Sequence, residues 1–201
     1  MLKHFHIQGI REAGCDEAGR GCLAGPVFAA AVVLPEHFEE PSLNDSKKLT
    51  KARRELMRAE IEKNALSWAV ACCDNNEIDE LNILRASILA MHRALDHLTI
   101  NADLIIVDGN RFIPYKNVAY CCIIKGDATY KSIAAASILA KVYRDEHMLQ
   151  LHRLHDCYSW HKNKGYPTLE HRQAIEKFGI TRYHRKSFLL IKRQLSLPLD
   201  F

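Results

Sequence analysis

Cys15-Asp16-Glu17-Ala18-Gly19-Arg20-Gly21 is the stretch of this 201-residue chain from which both a fold and a chemistry can be predicted. Two adjacent carboxylates, Asp16 and Glu17, stand where an apolar segment ends. Neighbouring acids repel each other unless a cation neutralises them, so the pair predicts a divalent metal ion. The glycines on either side of Arg20 leave the backbone amides open to close approach. Carboxylates beside a backbone-and-arginine cradle indicate phosphate chemistry.

Two apolar segments flank this stretch and predict an antiparallel hairpin. Residues 7–15 precede it, and residues 26–34 follow it as an apolar run typical of a strand that is covered on both faces. Gly19, Gly21 and Gly25 lie between the two segments, as expected for the connection of a hairpin. The two acids are therefore expected near the tip of the first strand.

Three further apolar segments predict strands, and two of them lead to an acid. They are Trp68–Cys73, Leu104–Val107 and Val118–Ile124. Asp108 directly follows the middle segment, which reads as a buried parallel strand, and ligands collect at the carboxyl ends of such strands. Asp108 is therefore a candidate metal ligand, with an ordinary Asp-Gly turn as the alternative.

Asp127 is the fourth candidate acid, because it follows the last of these strands and precedes a long helix predicted from about Tyr130 to Gln150. Capping of that helix would also explain an aspartate at this position. Four carboxylates at one edge of a sheet favour Mg²⁺ or Mn²⁺ over zinc. Two such ions could support in-line attack of water on phosphorus.

Further helices are predicted from apolar periodicity and from capping residues such as Thr50. They cover Lys51–Lys63, Asn76–Leu81, Leu84–Leu98 and Leu169–Phe178, and a short packed helix is expected at Leu189 and Leu190 after the basic segment Arg182–Phe188. A stripe of Ile88, Met91 and Leu95 at helical spacing is expected in the core.

Positive charge is concentrated in the carboxy-terminal part of the chain. Residues 141–193 hold 12 Lys/Arg and 5 Asp/Glu by count, a net charge of +7, although the whole chain has a net charge of only +4. Such a distribution fits a polyanion that lies across a metal site. A solvated basic helix face is the alternative.

Seven cysteines without a Cys-x-x-Cys spacing predict buried free thiols in a reducing compartment. No apolar run approaches the roughly 20 residues that span a bilayer, and the first residues lack the apolar core of a signal peptide. We therefore expect a cytoplasmic protein that does not associate with membranes.

Other candidate residues have weaker signals. Lys47 and Lys48 precede a predicted helix N-terminus and could bind phosphate, with two exposed lysines of no function as the alternative. Ser46 and Lys47 are the candidate substrate-binding residues of this segment. Tyr166 is held between glycine and proline, where it could stack on a sugar or base, or cover the core. A zinc site is not expected among His147, His152, His155 and His161, because no cysteine or carboxylate spacing completes it.

Several motifs occur together in the order seen in bacterial type 2 ribonuclease H (RNase HII). They are Asp-Glu-Ala-Gly-Arg-Gly, Ala-Gly-Pro-Val, Asp-Ser-Lys-Lys-Leu, Val-Asp-Gly-Asn, Lys-Gly-Asp followed by Ser-Ile-Ala-Ala-Ala-Ser-Ile-Leu-Ala-Lys-Val, and Gly-Tyr-Pro-Thr. Roughly residues 8–190 resemble this family. The resemblance implies an α/β, RNase H-like fold, with a mixed five-stranded sheet, flanking helices and a helical carboxy-terminal extension.

The resemblance also implies an activity and roles for individual residues. The implied activity is cleavage of the RNA strand of RNA–DNA hybrids and at single ribonucleotides in duplex DNA, with 5′-phosphate and 3′-hydroxyl products. By position, Asp16, Glu17, Asp108 and Asp127 match the metal-binding acids. Gly19, Arg20 and Gly21 match the loop that senses the 2′-hydroxyl, and Tyr166 matches the tyrosine that packs on the sugar at the RNA–DNA junction.

Three alternatives are weighed against this interpretation. RNase HIII resembles the chain but carries an extra N-terminal domain and a glutamate where this chain has Asp127. Type 1 ribonuclease H separates its first two acids, and an inactive hybrid-binding module would retain four acids without a use. One geometric question stays open: Asp16 and Glu17 point to opposite faces of a regular strand, so Glu17 could bind a metal through its backbone or act indirectly.

The end of the chain suggests a partner. Residues 194–199, Gln-Leu-Ser-Leu-Pro-Leu, resemble the short motif by which bacterial proteins dock on the replication sliding clamp, with an ordinary amphipathic tail as the alternative. We expect residues 1–193 to form a single catalytic domain whose part from about 150 to 193 is helical, residues 194–201 to form a flexible tail, and the protein to be a monomer.

Overall fold

A five-stranded sheet forms the centre of the computed structural model, which describes residues 2–38, 43 and 50–191. The strands are β1 (Glu12–Ala18), β2 (Val27–Val33), β3 (Ser67–Cys73), β4 (Leu104–Asp108) and β5 (Ala119–Ile123). Their order across the sheet is β3-β2-β1-β4-β5. β2 is antiparallel to β1 and β3, whereas β4 is parallel to β1 and β5, so the predicted mixed sheet and hairpin are confirmed.

Helices cover both faces of the sheet. They are α1 (Lys51–Asn64), α2 (Asn75–Leu81), α3 (Ile83–Asp96), α4 (Lys131–Leu154), α5 (Trp160–Asn163) and α6 (Leu169–Phe178). α1 and α4 pack on one face, and α2 and α3 pack on the other. β2 lies between both layers, and all seven of its residues are buried, as the unbroken apolar run predicts.

The long helix α4 lies unusually close to β1 because its first turns carry small side chains. Ala134, Ala135 and Ala136 are fully buried against the sheet. A Cβ atom at Gly14 of β1 would lie only 2.3 Å from the backbone of Ser132. This close packing brings the side chains of α4 to the end of β1 that carries the two acids.

The strand β1 begins later and ends later than predicted. Residues 7–11 are not part of it, because the carboxylate of Glu12 accepts hydrogen bonds from the backbone N–H groups of His6 and Ile7 and so turns the preceding segment back. The strand then continues without a bulge through Asp16 and Glu17, which pair with Ala30 and Ala29 of β2.

The carboxy-terminal part packs as a helical extension against the loop that follows β1. Trp160 and Ile175 of this part belong to one buried hydrophobic cluster with Leu23 and Met148. The short helix expected at Leu189 and Leu190 is absent from the described segment 179–191, and that prediction was wrong.

The backbone of this last segment bonds to other parts of the molecule, which explains why it forms no helical turn. The N–H of Arg185 donates to the carbonyl of Leu23 at 2.8 Å. The carboxylate of Asp79 in α2 accepts the N–H groups of Lys186 and Ser187, each at 2.9 Å.

The core and the cysteines agree in most respects with the sequence. The stripe of Ile88, Met91 and Leu95 is buried, as predicted. The seven cysteines are free thiols, but only Cys15, Cys22 and Cys73 are buried, so the prediction of burial is wrong for the half-buried Cys121 and Cys122 and for the exposed Cys72 and Cys157. Within the described ranges, no helix is both long and apolar enough to cross a bilayer.

Candidate active site

A cleft of about 430 Å³ opens at the carboxyl ends of β1 and β4. Its walls come from the end of β1 and the loop that follows it, from α1, β4 and α4, and from the loop before α6. The lining residues are Asp16, Glu17, Ala18, Gly19, Arg20, Gly21, Arg54, Asp108, Ser137, Lys141 and Tyr166. Seven of the ten site residues predicted from the sequence are therefore brought together in one cleft.

Asp16 lies at the bottom of the cleft, on the face of the sheet that α4 covers. Its side chain is hydrogen-bonded to Ser137, and its Oδ1 accepts the N–H of Glu17 at 2.7 Å. Burial raises the pKa of Asp16 well above its usual value, and the charges of Glu17 and Asp108 raise it further. A carboxylate in this position is stabilised by an added cation.

Glu17 lies on the other face of the same strand. Alternate residues of a strand point to the same face. Asp16 therefore shares a face with Ala18, which packs with α4, and Glu17 shares the opposite face with Cys15, which packs with α3. The side chain of Glu17 nonetheless reaches the cleft and forms an ion pair of 3.3 Å with Arg20. Burial raises the pKa of Glu17, and the neighbouring Arg20 partly offsets this. Because β1 is regular here, the two acids approach the cleft from opposite sides of the strand.

Asp108 is the last residue of β4, the strand beside β1. Its Oδ1 accepts the backbone N–H of Gly126 at 2.7 Å, which ties β4 to the turn after β5. The carboxylate lines the main cleft and also a smaller cavity on the α3 side, where Glu17 is its neighbour. Asp108 therefore connects the two acids that lie on opposite faces of β1.

Asp127 does not line the cleft. It is buried in the 3₁₀ turn Gly126–Ala128, directly after the glycine that donates to Asp108. The alternative that Asp127 caps the long helix is wrong, because Tyr130 occupies the N-cap of α4. Asp127 therefore lies near the sheet edge, because its neighbour Gly126 is hydrogen-bonded to Asp108.

The described residues contain no group of three or more His, Cys, Asp or Glu side chains that is arranged to hold a metal ion. The rings of His152 and His161 lie close together, with their centres 4.2 Å apart and their planes tilted by 31°. The acids of the cleft supply oxygen donors alone, and these suit a hard divalent cation.

The two glycines of the Gly-Arg-Gly loop differ in their surroundings. Gly19 has a positive φ of 98°, and a Cβ there would lie 2.0 Å from Nε of Arg144. Gly21 has no such φ, and no atom of the described residues lies within 4 Å of its Cβ position. Between them, the carbonyl of Arg20 accepts a hydrogen bond of 2.9 Å from the buried Arg185. The fold therefore requires glycine at 19 but not at 21.

Tyr166 forms the opposite rim of the cleft. Its ring is partly exposed, and its hydroxyl is hydrogen-bonded to the thiol of the buried Cys22. Its N–H donates to the carbonyl of Asn163 at 2.9 Å, and the guanidinium of Arg144 lies 5.4 Å from the centre of the ring. The tyrosine is thus held in place on one side and exposed on the other.

Sequence reasoning missed four residues at or beneath the cleft, although three of them carry a readable signal. Ser137, Lys141 and Arg144 recur at helical spacing on α4, which places them on one side of the helix. Lys141 does pair with Asp145, at 2.6 Å, but it also lines the cleft. Arg54 of α1 has no such signal. Two predicted residues, Ser46 and Lys47, lie outside the described residues.

Comparisons with known proteins agree with this geometry. A family model described as Ribonuclease HII matches residues 13–191. A Ribonuclease HII of Christiangramia forsetii is 58% identical over 196 residues, which cover 98% of this chain and 99% of the relative. The chain belongs to the ribonuclease HII family. A Ribonuclease HII of Bacteroides thetaiotaomicron is 56% identical over 95% of this chain and 96% of its own length.

Solved structures show the same fold. The ribonuclease H2 of Pyrococcus horikoshii has a TM-score of 0.75 and 26% identity, over 90% of this chain and 95% of that one. The RNase HII of Archaeoglobus fulgidus, solved in complex with PCNA, has a TM-score of 0.76 and 25% identity, over 92% of this chain and 98% of that one. The chain is therefore an RNase H-like enzyme, a metal-dependent endonuclease with ribonuclease H activity on RNA–DNA hybrids.

Proposed function

We propose that the enzyme cleaves the RNA strand of hybrids and also cuts at single ribonucleotides embedded in duplex DNA, leaving 5′-phosphate and 3′-hydroxyl ends. One observation carries the proposal: three acids and the candidate ribose-reading residues line the same cleft. Groups that cut and groups that recognise the sugar would then act on the same nucleotide.

Two Mg²⁺ or Mn²⁺ ions are the proposed cofactors, held by Asp16, Glu17, Asp108 and Asp127. When bound, such ions activate the attacking water and stabilise the leaving 3′ oxygen. The fit rests on the oxygen donors and on the raised pKa of Asp16, which a nearby cation would lower again. The described acids form no group that is arranged to hold a metal ion, so their side chains would have to move closer together to bind the two ions.

Cationic side chains at the edge of the acids would position the substrate backbone. Lys141 and Arg54 line the cleft from α4 and α1, and Arg20 projects from the loop with 47% of its side chain exposed. Arg20 is paired with Glu17, and it would be available to bind a substrate phosphate if Glu17 held a metal ion instead. The basic residues of 141–193 extend the positive charge away from the acids.

The 2′-hydroxyl would be read by the backbone of Gly19, Arg20 and Gly21. Among the described residues, neither packing nor backbone conformation requires glycine at 21, since none of their atoms fills the space at its Cβ position. A glycine that the fold does not need is explained if a ligand must approach the backbone there. The 2′-hydroxyl is both donor and acceptor, and it is the group that distinguishes RNA from DNA.

Tyr166 would pack on the sugar that follows the ribonucleotide. Its ring is fixed from below by Cys22 and Arg144 and is exposed toward the cleft. A rigid ring tolerates a deoxyribose more easily than a ribose with its additional hydroxyl. This position would favour cleavage at an RNA–DNA junction.

The experiment that tests the proposal is a cleavage assay on a duplex with one ribonucleotide. The purified protein is incubated with this duplex and with an all-DNA duplex of the same sequence, with Mg²⁺, with Mn²⁺ or with a chelator. We expect a single cut beside the ribonucleotide, with 5′-phosphate and 3′-hydroxyl ends, only when a metal is present. Cleavage of long hybrids alone, or cleavage in the chelator, would contradict the proposal.

A second proposal concerns residues 194–199, which lie outside the described residues. We propose that they dock on the replication sliding clamp; the related enzyme of Archaeoglobus fulgidus was solved in complex with PCNA, which supports a partner of this type. Deletion of residues 194–201 is expected to abolish capture by the purified clamp and to leave cleavage of a short duplex unchanged. Equal capture with and without these residues would remove the proposal.

The remaining sequence predictions stay predictions. They are the single catalytic domain over residues 1–193, substrate contacts by Ser46 and Lys47, a monomeric state and a cytoplasmic location. For the contacts, substitution of Lys47 by alanine is expected to raise KM on a duplex with one ribonucleotide and to change kcat little.

A further inference from the structure

Arg144 is a fully buried arginine that lies directly beneath the cleft. It belongs to the middle of α4, and its side chain has no exposed surface. Two loops meet above it: the Gly-Arg-Gly loop after β1 and the loop that carries Tyr166 before α6. A buried arginine between two substrate-facing loops calls for an explanation, because burial of a charge is costly unless the charge is well paired.

The contacts of Arg144 with the tyrosine loop are direct. Its Nη2 donates a hydrogen bond of 2.6 Å to the carbonyl of Lys164, and its guanidinium lies 5.4 Å from the centre of the Tyr166 ring. Lys164 and Gly165 both have positive φ angles, of 50° and 80°. The hydrogen bond therefore holds a turn in a conformation that few residues adopt readily.

The same guanidinium also supports the glycine loop. Nε and Cδ of Arg144 lie 2.0 and 2.6 Å from the position that a Cβ of Gly19 would occupy. The backbone at Gly19 therefore rests on the arginine, and any side chain at this position would displace the arginine. One planar group thus contacts both loops at once.

Two nitrogens of the Arg144 guanidinium have no hydrogen-bond partner within the part of the chain that the structure describes, which argues against a purely structural role. Among the described residues, no group accepts a hydrogen bond from the buried Nε or Nη1, and the carboxylate of Asp145 lies 3.9 Å from Nη1. Buried unsatisfied donors of a charged group destabilise a fold, and an apolar side chain of similar volume is often at least as stable. The cost is understandable if the planar group is required for the geometry of the loops.

We propose that Arg144 is a positioning residue that fixes the Gly-Arg-Gly loop and the ring of Tyr166 relative to each other. The distance between the group that reads the ribose and the ring that packs on the next sugar would then be set by one side chain. This inference rests on the proposed function, in which these two elements recognise adjacent nucleotides. It predicts that Arg144 determines selectivity for the junction, defined as kcat/KM at a single embedded ribonucleotide divided by kcat/KM on a long hybrid.

A double-mutant cycle tests the inference. Selectivity is measured for the wild type, Arg144→Lys, Tyr166→Ala and the double variant, with Arg172→Lys as a matched control. Arg172 also donates to backbone carbonyls, those of Leu189 and Leu190, but it does not line the cleft. We expect Arg144→Lys and Tyr166→Ala each to lower selectivity about tenfold, and the double variant to be no worse than Tyr166→Ala alone. The control is expected to keep the wild-type ratio.

The outcomes separate the inference from the proposed function. A general loss of stability lowers cleavage of both substrates together and leaves their ratio unchanged, so an unchanged ratio in Arg144→Lys overturns the inference. Additive effects in the double variant overturn it as well, because Arg144 would then act independently of Tyr166. If Tyr166→Ala itself leaves selectivity unchanged, the proposed role of Tyr166 fails, and the inference fails with it.

Discussion

The acids of the cleft and the loops around it are held in place by different kinds of contact. Asp16, Glu17 and Asp108 lie on strands whose backbone ladders fix their positions. The Gly-Arg-Gly loop and the Tyr166 loop are held mainly by buried polar side chains. The contacts are those of Arg144 with Lys164, Arg185 with Arg20 and His171 with Tyr166. The comparison suggests that cutting and recognition can be altered separately.

The largest expected effect is at the sheet edge. Asp108→Asn keeps the shape of the side chain and removes a proposed metal ligand, so cleavage is expected to fall by roughly 10²- to 10³-fold or more, while binding of the hybrid is retained. The measurement is kcat/KM together with a binding titration.

A matched control lies just before the opposite end of the same strand. Asp103 is exposed and paired with Arg11 at 3.1 Å, far along β4 from the cleft. Asp103→Asn is expected to cleave at the wild-type rate. Full activity in Asp108→Asn would show that cleavage does not depend on the acids at the sheet edge. The contrast between these acids and the substrate-recognising loops would then be wrong.

Substitutions of the two glycines in the Gly-Arg-Gly loop are expected to have effects of intermediate size. Gly21→Ala is expected to leave the melting temperature unchanged and to reduce cleavage about 10- to 100-fold, because the methyl group occupies the space offered to the ribose. Gly19→Ala is expected to lower the free energy of unfolding by about 1–3 kcal/mol in addition, since φ is 98° and Arg144 is displaced.

Thermal melting and cleavage of both variants are the measurements. If Gly21→Ala lowers the melting temperature as much as Gly19→Ala does, the fold itself requires glycine at 21. This glycine would then be no evidence for a ligand. If Gly21→Ala cleaves normally, the backbone at residue 21 does not meet the ribose.

The last prediction concerns the pH dependence of stability, which depends on two buried histidines beside the loops. His171 and His184 are buried side by side with their Nε2 atoms 3.3 Å apart, and His171 contacts the carbonyl of Tyr166 through Nδ1. Burial, with the neighbouring His171, lowers the pKa of His184 to about 4. The folded state therefore binds fewer protons than the unfolded state between about pH 6.5 and 4, so stability falls as the pH falls through that window.

The expected loss from His184 alone is about 2 kcal/mol between pH 7.5 and pH 5. Urea unfolding at the two pH values measures it. His184→Asn is expected to be less stable at pH 7.5 and to lose less on acidification, whereas the exposed His97→Gln should follow the wild-type profile. Identical pH profiles for His184→Asn and the wild type would contradict the role of the histidine pair.

The sheet edge could be predicted from the sequence to a greater extent than the loops. Asp108 could be predicted because it directly follows a short apolar segment, which is typical of a buried parallel strand. A similar apolar segment precedes Asp127. The 3₁₀ turn of Asp127 was not predictable, since the N–H of Gly126 reaches a carboxylate 18 positions away in sequence. Local patterns fix strands, but they do not fix contacts between distant segments.

Arg144 illustrates the limit for the loops. In the sequence, it is one of several charged residues on α4 and resembles part of a solvated helix face. It is buried because Gly19 and Tyr166 close over it, and both come from distant parts of the chain. The helix expected at Leu189 and Leu190 fails for a related reason, since Asp79 and Leu23 bind the backbone just before it.

The most direct test of the account compares three duplexes that differ in one sugar. The central nucleotide carries ribose, deoxyribose or 2′-O-methylribose, and the products are mapped on both strands with the wild-type enzyme and Mg²⁺ or Mn²⁺. The account predicts one cut, beside the ribose only, with 5′-phosphate and 3′-hydroxyl ends, because the loop admits a free 2′-hydroxyl and the acids act at that nucleotide. Equal cleavage of the deoxyribose or 2′-O-methyl duplex would contradict it.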